Sequence, residues 1–235
     1  NRISMKTKIY LLPGLMCNEQ LWNRLLPYFD DKYEFVYVAL PEMSCFDESI
    51  DFLDQYFKEE KVNILGFSLG GYVASYFTCK YPHRVNKLFI LAASAGTLQD
   101  EEIEKRNKAI HLLDNFGFKG LSHKKVVSLL ETSNQKDEVL IRLIQKMYVD
   151  LGEEVFRTQM TSTLNRENLL EKMRLLDIPM TFLYCDEDRL VNTKWIEDFS
   201  VSNDKATFEK ISSTSHMLPL ERPMEVSQAI KRWVK

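Results

Sequence analysis

One serine in this chain has a glycine two residues before it and another two residues after it, in Gly66-Phe67-Ser68-Leu69-Gly70. A serine hydroxyl is a weak nucleophile near neutral pH. It needs a base within hydrogen-bond reach, and that base needs an acid to orient it. The chain has four histidines. His83 follows Pro82 in a turn, and His111 and His123 fall in a helix-rich segment. His216 lies in Ser212-Ser213-Thr214-Ser215-His216-Met217-Leu218-Pro219, between the last apolar strand and the last helix, and it is the candidate base. Carboxylates for the third role cluster in Cys185-Asp186-Glu187-Asp188-Arg189-Leu190-Val191. Asp188 is favoured because the apolar pair after it can anchor the loop. Asp186 is second choice, and Glu187 reads as solvent-facing. An oxyanion would need two N–H donors. Leu69 offers one at a helix N-terminus, and Leu12-Pro13-Gly14-Leu15-Met16 offers the other, from Leu15 or alternatively Met16. Losing one such donor typically costs about 2.7–4 kcal/mol of transition-state stabilisation.

The glycine–serine pattern alone is cheap: at average composition roughly one chain in ten of this size would carry it. Its setting makes it informative. Val62-Asn63-Ile64-Leu65 before it reads as a buried strand, and Gly71-Tyr72-Val73-Ala74-Ser75-Tyr76-Phe77 after it reads as a buried helix. A serine on such a sharp turn is held with its hydroxyl outward, in a bend that admits only glycine nearby.

The same patterning predicts further strands at Lys8–Leu12, Tyr33–Leu40, Lys87–Ala92, Met180–Tyr184 and Ala206–Ile211. Helices are expected from an Asn18 cap to about Phe29, from Asp47 through Phe57, at Thr193–Phe199 and at Pro223–Trp233. Strands alternating with helices imply an α/β fold, a doubly wound and mostly parallel six-stranded sheet. Between the fourth and fifth strands, Glu101–Phe116, Lys124–Thr132, Lys136–Leu151, Glu153–Leu164 and Asn168–Leu175 all read as helical. The expected division is a core of 5–96 and 177–235 with an all-helical lid at 97–176, which would emerge at the carboxyl edge of the sheet where ligands bind. Met16, Trp22, Phe116, Tyr148, Phe156 and Met217 are candidate substrate-binding residues. Phe118, Met147 and Met160 could join them, and each of these side chains fits a core role as well.

The 235 residues carry a formal net charge of -3 and are 45% hydrophobic. That charge gives no sign of a nucleic-acid or anionic-membrane partner. The four cysteines are scattered without metal-ligand spacing, so neither a metal nor another cofactor is expected, and free thiols in a reducing, cytoplasmic setting are the simplest reading. The uncharged stretch Val62–Cys79 is too rich in glycine and serine for a membrane span. Ile9-Tyr10-Leu11-Leu12 ends at Pro13-Gly14 with no cleavage site, so it reads as a strand rather than a secretory leader. Met5 reads as the native start, with Asn1–Ser4 a remnant of expression.

Taken together, Leu11-Leu12-Pro13-Gly14-Leu15, the Ser68 turn with Gly71, Tyr81-Pro82-His83-Arg84-Val85, Cys185–Val191, and Ser215-His216-Met217 with Glu221-Arg222-Pro223 resemble the α/β-hydrolase superfamily over nearly the whole chain. The order serine, aspartate, histidine is also the order found there. Among its members the chain is similar to small bacterial enzymes such as pimeloyl-carrier-protein methyl esterase and enol-lactonases. It departs from the pattern at Pro13, where histidine is frequent, and at Cys185 and Ser215, where glycines are usual. Tyr72 stands where menaquinone-pathway members carry arginine. The family's first antiparallel hairpin is expected to be missing. The resemblance implies a cofactor-free serine hydrolase acting on a small-molecule carboxylic ester or thioester. An alternative is the same triad acting on an acyl-carrier protein, guided by Lys105, Arg106, Lys108, Lys124 and Lys125. A ligand receptor on a hydrolase scaffold is the third reading, disfavoured because all three triad residue types are present.

Overall fold

The computed structural model describes residues 5–235, so the segment read above as a remnant of expression lies outside the described residues. Six strands form one sheet: Thr7–Leu12 (β1), Tyr33–Tyr37 (β2), Val62–Phe67 (β3), Val85–Leu91 (β4), Met180–Cys185 (β5) and Ala206–Ile211 (β6). Their order is β2-β1-β3-β4-β5-β6, and every neighbouring pair is parallel. β5 is buried along its whole length and β3 and β4 nearly so, while the edge strands β2 and β6 are half-exposed. That gradient follows from helices covering both faces of a parallel sheet.

Alternate residues of each strand feed two cores. Tyr10, Leu12, Ile64, Leu88, Ile90 and Phe182 face one, and Ile9, Leu11, Leu65, Phe89, Leu91 and Leu183 face the other. The first core is closed by Phe46–Tyr56 (α1), Leu69–Lys80 (α2) and a helix at Thr193–Ser200; the second is closed by a helix at Pro223–Trp233. Trp233 meets Phe89 edge-on at 5.4 Å, an aromatic contact that helps fix this helix on the sheet.

Between β4 and β5 run Asp100–Phe116 (α3), His123–Leu129 (α4), Glu138–Ser162 (α5) and Leu170–Arg174 (α6). After β5 follow Thr193–Ser200 (α7), Leu218–Glu221 (α8) and Pro223–Trp233 (α9). As expected, two helical runs meet within α5 at Gly152, whose φ of 82° and ψ of -178° are non-helical and break the helix there. That conformation is open essentially to glycine alone. Apolar residues of α4 and α5, including Val126, Leu140, Ile144 and Met147, join the second core.

The segment after Asn18 corrects the sequence expectation. It forms two short 3-10 turns, Glu19–Trp22 and Leu26–Tyr28, rather than one α-helix. Asn18 does cap the first, accepting from the Gln20 N–H at 3.1 Å. Pro27 lacks an N–H and restricts Leu26 before it, so an α-helical ladder cannot run through. Among the described residues, no helix is long and apolar enough to cross a membrane.

Candidate active site

The Ser68 turn is shaped by what cannot fit around it. A Cβ on Gly66 would stand 2.1 Å from the Gly70 carbonyl oxygen, and one on Gly70 would stand 2.4 Å from that of Pro13. Both distances are far inside contact, so the strand, the turn and the loop after β1 can close on one another only with glycine here. Ser68 itself takes φ 52° and ψ -118°, a backbone strain of about 1–3 kcal/mol that surrounding packing must hold. Its N–H donates to the Leu91 carbonyl at 2.9 Å, and its carbonyl accepts from Gly71 and Tyr72 at the start of α2. Met16 and Ala92 also have positive φ, at 53° and 52°. They follow β1 and β4 as Ser68 follows β3, so the three strained residues share the carboxyl edge of the sheet.

His216 arrives on the loop between β6 and α8 and is buried. Its Nε2 is 3.0 Å from Ser68 Oγ, and its Nδ1 is 2.6 Å from Asp188 Oδ2. Asp188 is 4% exposed, and its Oδ1 accepts from the Leu190 N–H at 2.9 Å. Burial pulls the imidazole pKa down, but the charge and hydrogen bond of Asp188 outweigh it and leave the pKa above the usual 6.5. Asp186, the second choice, is exposed and accepts instead from the Ser213 N–H at 3.2 Å. Glu187 is exposed as well. His83, His111 and His123 lie on the turn before β4, on α3 and on α4. A hydroxyl, an imidazole and a carboxylate in this relay can move a proton off the hydroxyl while stabilising the imidazolium that forms.

Two amides point to where negative charge could be held. Among the described residues the Leu15 and Leu69 N–H groups donate to no protein acceptor, whereas the Met16 N–H donates to Gln159 Oε1 at 2.7 Å. Gln159 belongs to α5, so the helical segment reaches across to the loop after β1. Nothing in the sequence marked Gln159 for that contact, which spans 143 residues.

A second set of contacts ties the histidine loop to the same segment. The His216 N–H donates to the Leu129 carbonyl at 2.9 Å. Glu221 accepts from Ser215 Oγ at 2.5 Å, from the Glu131 N–H at 2.8 Å and from Asn134 Nδ2 at 2.9 Å. Glu131 in turn accepts from Ser213 Oγ at 2.7 Å and is gripped by the Arg222 guanidinium. Burial raises the Glu221 pKa above its usual value, against the pull of its hydrogen bonds.

A cavity of about 40 Å³ opens on Ser68, room for roughly three water molecules. It is lined by Ala92, Ala93 and Ser94 after β4, by Gly96–Gln99 and Glu102, by Arg166, and by Arg189, Leu190 and Asn192. None of the six side chains expected to bind substrate lines it. Trp22 and Met217 are buried in the second core, and Met16 is fully buried as well. Tyr148 and Phe156 pack against each other, with Phe118 on Phe156. Phe116 is 65% exposed, with the Lys119 ammonium over its ring. A wider groove of about 650 Å³ between Glu42–Ser44 and Arg157–Ser162 includes none of the Ser68, Asp188 and His216 side chains. Of the basic residues suggested for a carrier protein, Lys108, Lys124 and Lys125 are exposed. Arg106 is buried against Glu102, and Lys105 pairs with Glu101 at 3.1 Å. Among the described residues no group of three or more His, Cys, Asp and Glu side chains could hold a metal ion.

A family model described as alpha/beta hydrolase fold matches residues 32–223. The uncharacterized hydrolase YugF of Bacillus subtilis (strain 168) is 21% identical over 241 residues, covering 94% of this chain and 88% of that protein. A thermophilic esterase from Thermogutta terrifontis superposes with a TM-score of 0.81 at 19% identity, over 98% of this chain and 90% of that one. The enol-lactonase from Burkholderia xenovorans LB400 gives 0.82 at 14% identity, over 100% and 93%. At such identities the structural likeness is one of fold. The family match spans most of the chain, all six strands but the first included, and on that ground the chain belongs to the alpha/beta hydrolase fold family.

Proposed function

We propose that this protein hydrolyses a carboxylic ester of a small acid through Ser68, His216 and Asp188. The observation that carries the reading is the continuous relay from Asp188 Oδ2 to His216 Nδ1 at 2.6 Å and from His216 Nε2 to Ser68 Oγ at 3.0 Å. Ser68 Oγ attacks the ester carbonyl carbon as His216 Nε2 takes its proton. The carbonyl oxygen becomes an oxyanion, held by the Leu15 and Leu69 amides, and the positive end of α2 adds to that stabilisation. The tetrahedral centre collapses as the imidazolium returns the proton to the departing alkoxide, leaving an acyl group on Ser68. Water deprotonated by His216 then attacks the acyl carbon, and Ser68 leaves with the proton restored. Asp188 keeps the imidazole in the tautomer that leaves Nε2 free to accept. Residues 97–176 act as a lid over the carboxyl edge, fastened to the oxyanion loop by Gln159 and to the histidine loop by Leu129, Glu131 and Asn134.

The esterase in Thermogutta terrifontis and the enol-lactonase, each a fold neighbour, lend this reading its reaction class. Steady-state hydrolysis of short p-nitrophenyl esters tests it. Ser68→Ala should remove nearly all turnover and all labelling by a fluorophosphonate probe. Full turnover by Ser68→Ala, or labelling at another serine, would end the proposal.

A further inference from the structure

The cavity beside Ser68 holds a cation with no anion to match it. Of its lining residues, Arg166 and Arg189 are positive and Glu102 is negative. Glu102 is already committed to Arg106, whose Nε lies 3.2 Å away and whose Nη1 donates to Thr163 Oγ1 at 2.8 Å. Arg166 is fixed in place differently. Its Nε donates to the Thr163 carbonyl at 3.1 Å, and its guanidinium lies 5.1 Å from the Tyr72 ring centre. Among the described residues no carboxylate comes within 4.0 Å of it, and its Nη groups donate to no protein acceptor.

Arg166 is half-buried, and a guanidinium drawn partly out of water without a counter-charge is unfavourable unless something else supplies the charge. Burial, with the like charge of Arg106, pulls the Arg166 pKa down to about 9, which leaves it cationic at neutral pH. At the rim, Asn192 Oδ1 caps the Trp195 N–H and Ser94 Oγ accepts from the Gly96 N–H. The two free Nη groups form a planar fork of the kind that grips a carboxylate with two parallel hydrogen bonds. Because Arg166 and Ser68 line the same small cavity, a group held by one lies only a few bonds from a carbon attacked by the other.

We propose that Arg166 binds a carboxylate carried by the substrate, so that the ester cleaved here is a half-ester of a short dicarboxylic acid or an ester of a short hydroxy acid. Arg189, exposed at the cavity mouth, adds attraction for the same anion. The inference rests on the esterase reading above and narrows its substrate class.

Two matched pairs of esters test it. p-Nitrophenyl hemisuccinate is set against p-nitrophenyl 4-methylpentanoate, with the acid on the acyl side. O-Acetylglycolate is set against isobutyl acetate, with the acid on the alcohol side. The expected result is that the charged member of one pair is preferred at least about tenfold in kcat/KM. Arg166→Gln should cut that preference by about 10–100-fold, mainly through KM, and Arg166→Lys should restore part of it. Preference for the neutral member in both pairs, or ratios unmoved by Arg166→Gln, would overturn the proposal. A binding readout separates this outcome from failure of the esterase reading. Succinate should raise the melting temperature of the Ser68→Ala protein and not that of Ser68→Ala with Arg166→Gln. Absence of any ester turnover sinks the esterase reading alone, whereas absence of a succinate shift sinks the anion site. Should Arg166→Gln not fold, succinate against neutral 1,4-butanediol on the parent protein decides the matter in the same way.

Discussion

Replacing Asp188 by asparagine isolates the relay from everything around it. The two side chains have nearly the same shape, and the Leu190 N–H, 2.9 Å from Oδ1, will keep an oxygen at that position. The new amide nitrogen must therefore take the place of Oδ2, 2.6 Å from His216 Nδ1. As a donor it forces Nδ1 to accept, which moves the ring proton to Nε2. There it points at Ser68 Oγ, and the imidazole can no longer take the serine proton. The lost charge adds to this. Two unit charges about 4 Å apart at an effective dielectric of about 20 interact by about 4 kcal/mol, which is about a thousandfold in rate. The wrong tautomer brings the expected loss in kcat to about 10³–10⁴-fold. The assay is hydrolysis of short p-nitrophenyl esters near pH 8, measured above the Ser68→Ala background. Asp186→Asn is the control; it touches only the Ser213 N–H, so a loss under about threefold is expected, as for other surface changes. The reasoning is refuted if Asp188→Asn keeps activity within tenfold of the parent, or if Asp186→Asn is equally damaging.

Three more expectations follow from the geometry. The proposed base is neutral His216, whose pKa is raised above the usual 6.5, so kcat/KM should fall as pH drops through a midpoint above that value; Asp188→Asn leaves burial dominant and should move the midpoint to lower pH, and a pH–rate profile of both proteins reads it. Gly66→Ala would press a methyl group into the Gly70 carbonyl, so a loss of about 1–3 kcal/mol in denaturant unfolding is expected; unchanged stability would mean that the turn is looser than described. Glu221→Ala strands the donors of Ser215, Glu131 and Asn134, and should cost about 3 kcal/mol of stability in the same measurement while lowering kcat by loosening the histidine loop; equal kcat with equal stability would argue against a positioning role.

Much of this architecture was legible before any coordinates because its signals are local. Ile64, Leu65 and the glycines at 66, 70 and 71 mark a buried strand running into a tight turn, and the structure shows why each glycine is needed. The six parallel strands and the helical run between the fourth and fifth fall close to where alternation and helical spacing place them. After Asn18 the helical spacing of Leu21, Trp22, Leu25 and Leu26 points to one helix, but the conformational limits that Pro27 imposes leave two 3-10 turns.

What stayed hidden was long-range and polar. The aromatic residues offered as pocket walls were chosen by type, and type cannot tell a core face from a cavity face; Trp22 is fully packed, while Phe116 stands in solvent. Gln159, Glu131 and Arg166 belong to no pattern along the chain, and their partners lie far away in sequence. Ala92 gave no sign of its positive φ, since alanine carries no preference for it.

These hidden contacts share one direction, from the helical segment to the sheet edge. Gln159 takes the Met16 amide, which leaves Leu15 as the loop's open donor, and Leu129 with Glu131 and Asn134 holds the histidine loop. Arg166 brings the cavity its unmatched charge. The strand ends and the loops after them hold the serine, the aspartate and the histidine at fixed positions, the relay on which the proposed ester cleavage rests. On the proposed reading, besides Arg189, Leu190 and Asn192 of the loop after β5, the choice of ester falls to the inserted segment, which lines the cavity with Thr97, Leu98, Gln99, Glu102 and Arg166. On this reasoning, exchanging side chains on that segment should change substrate preference more than intrinsic chemistry, whereas changes at the strand ends should do the reverse.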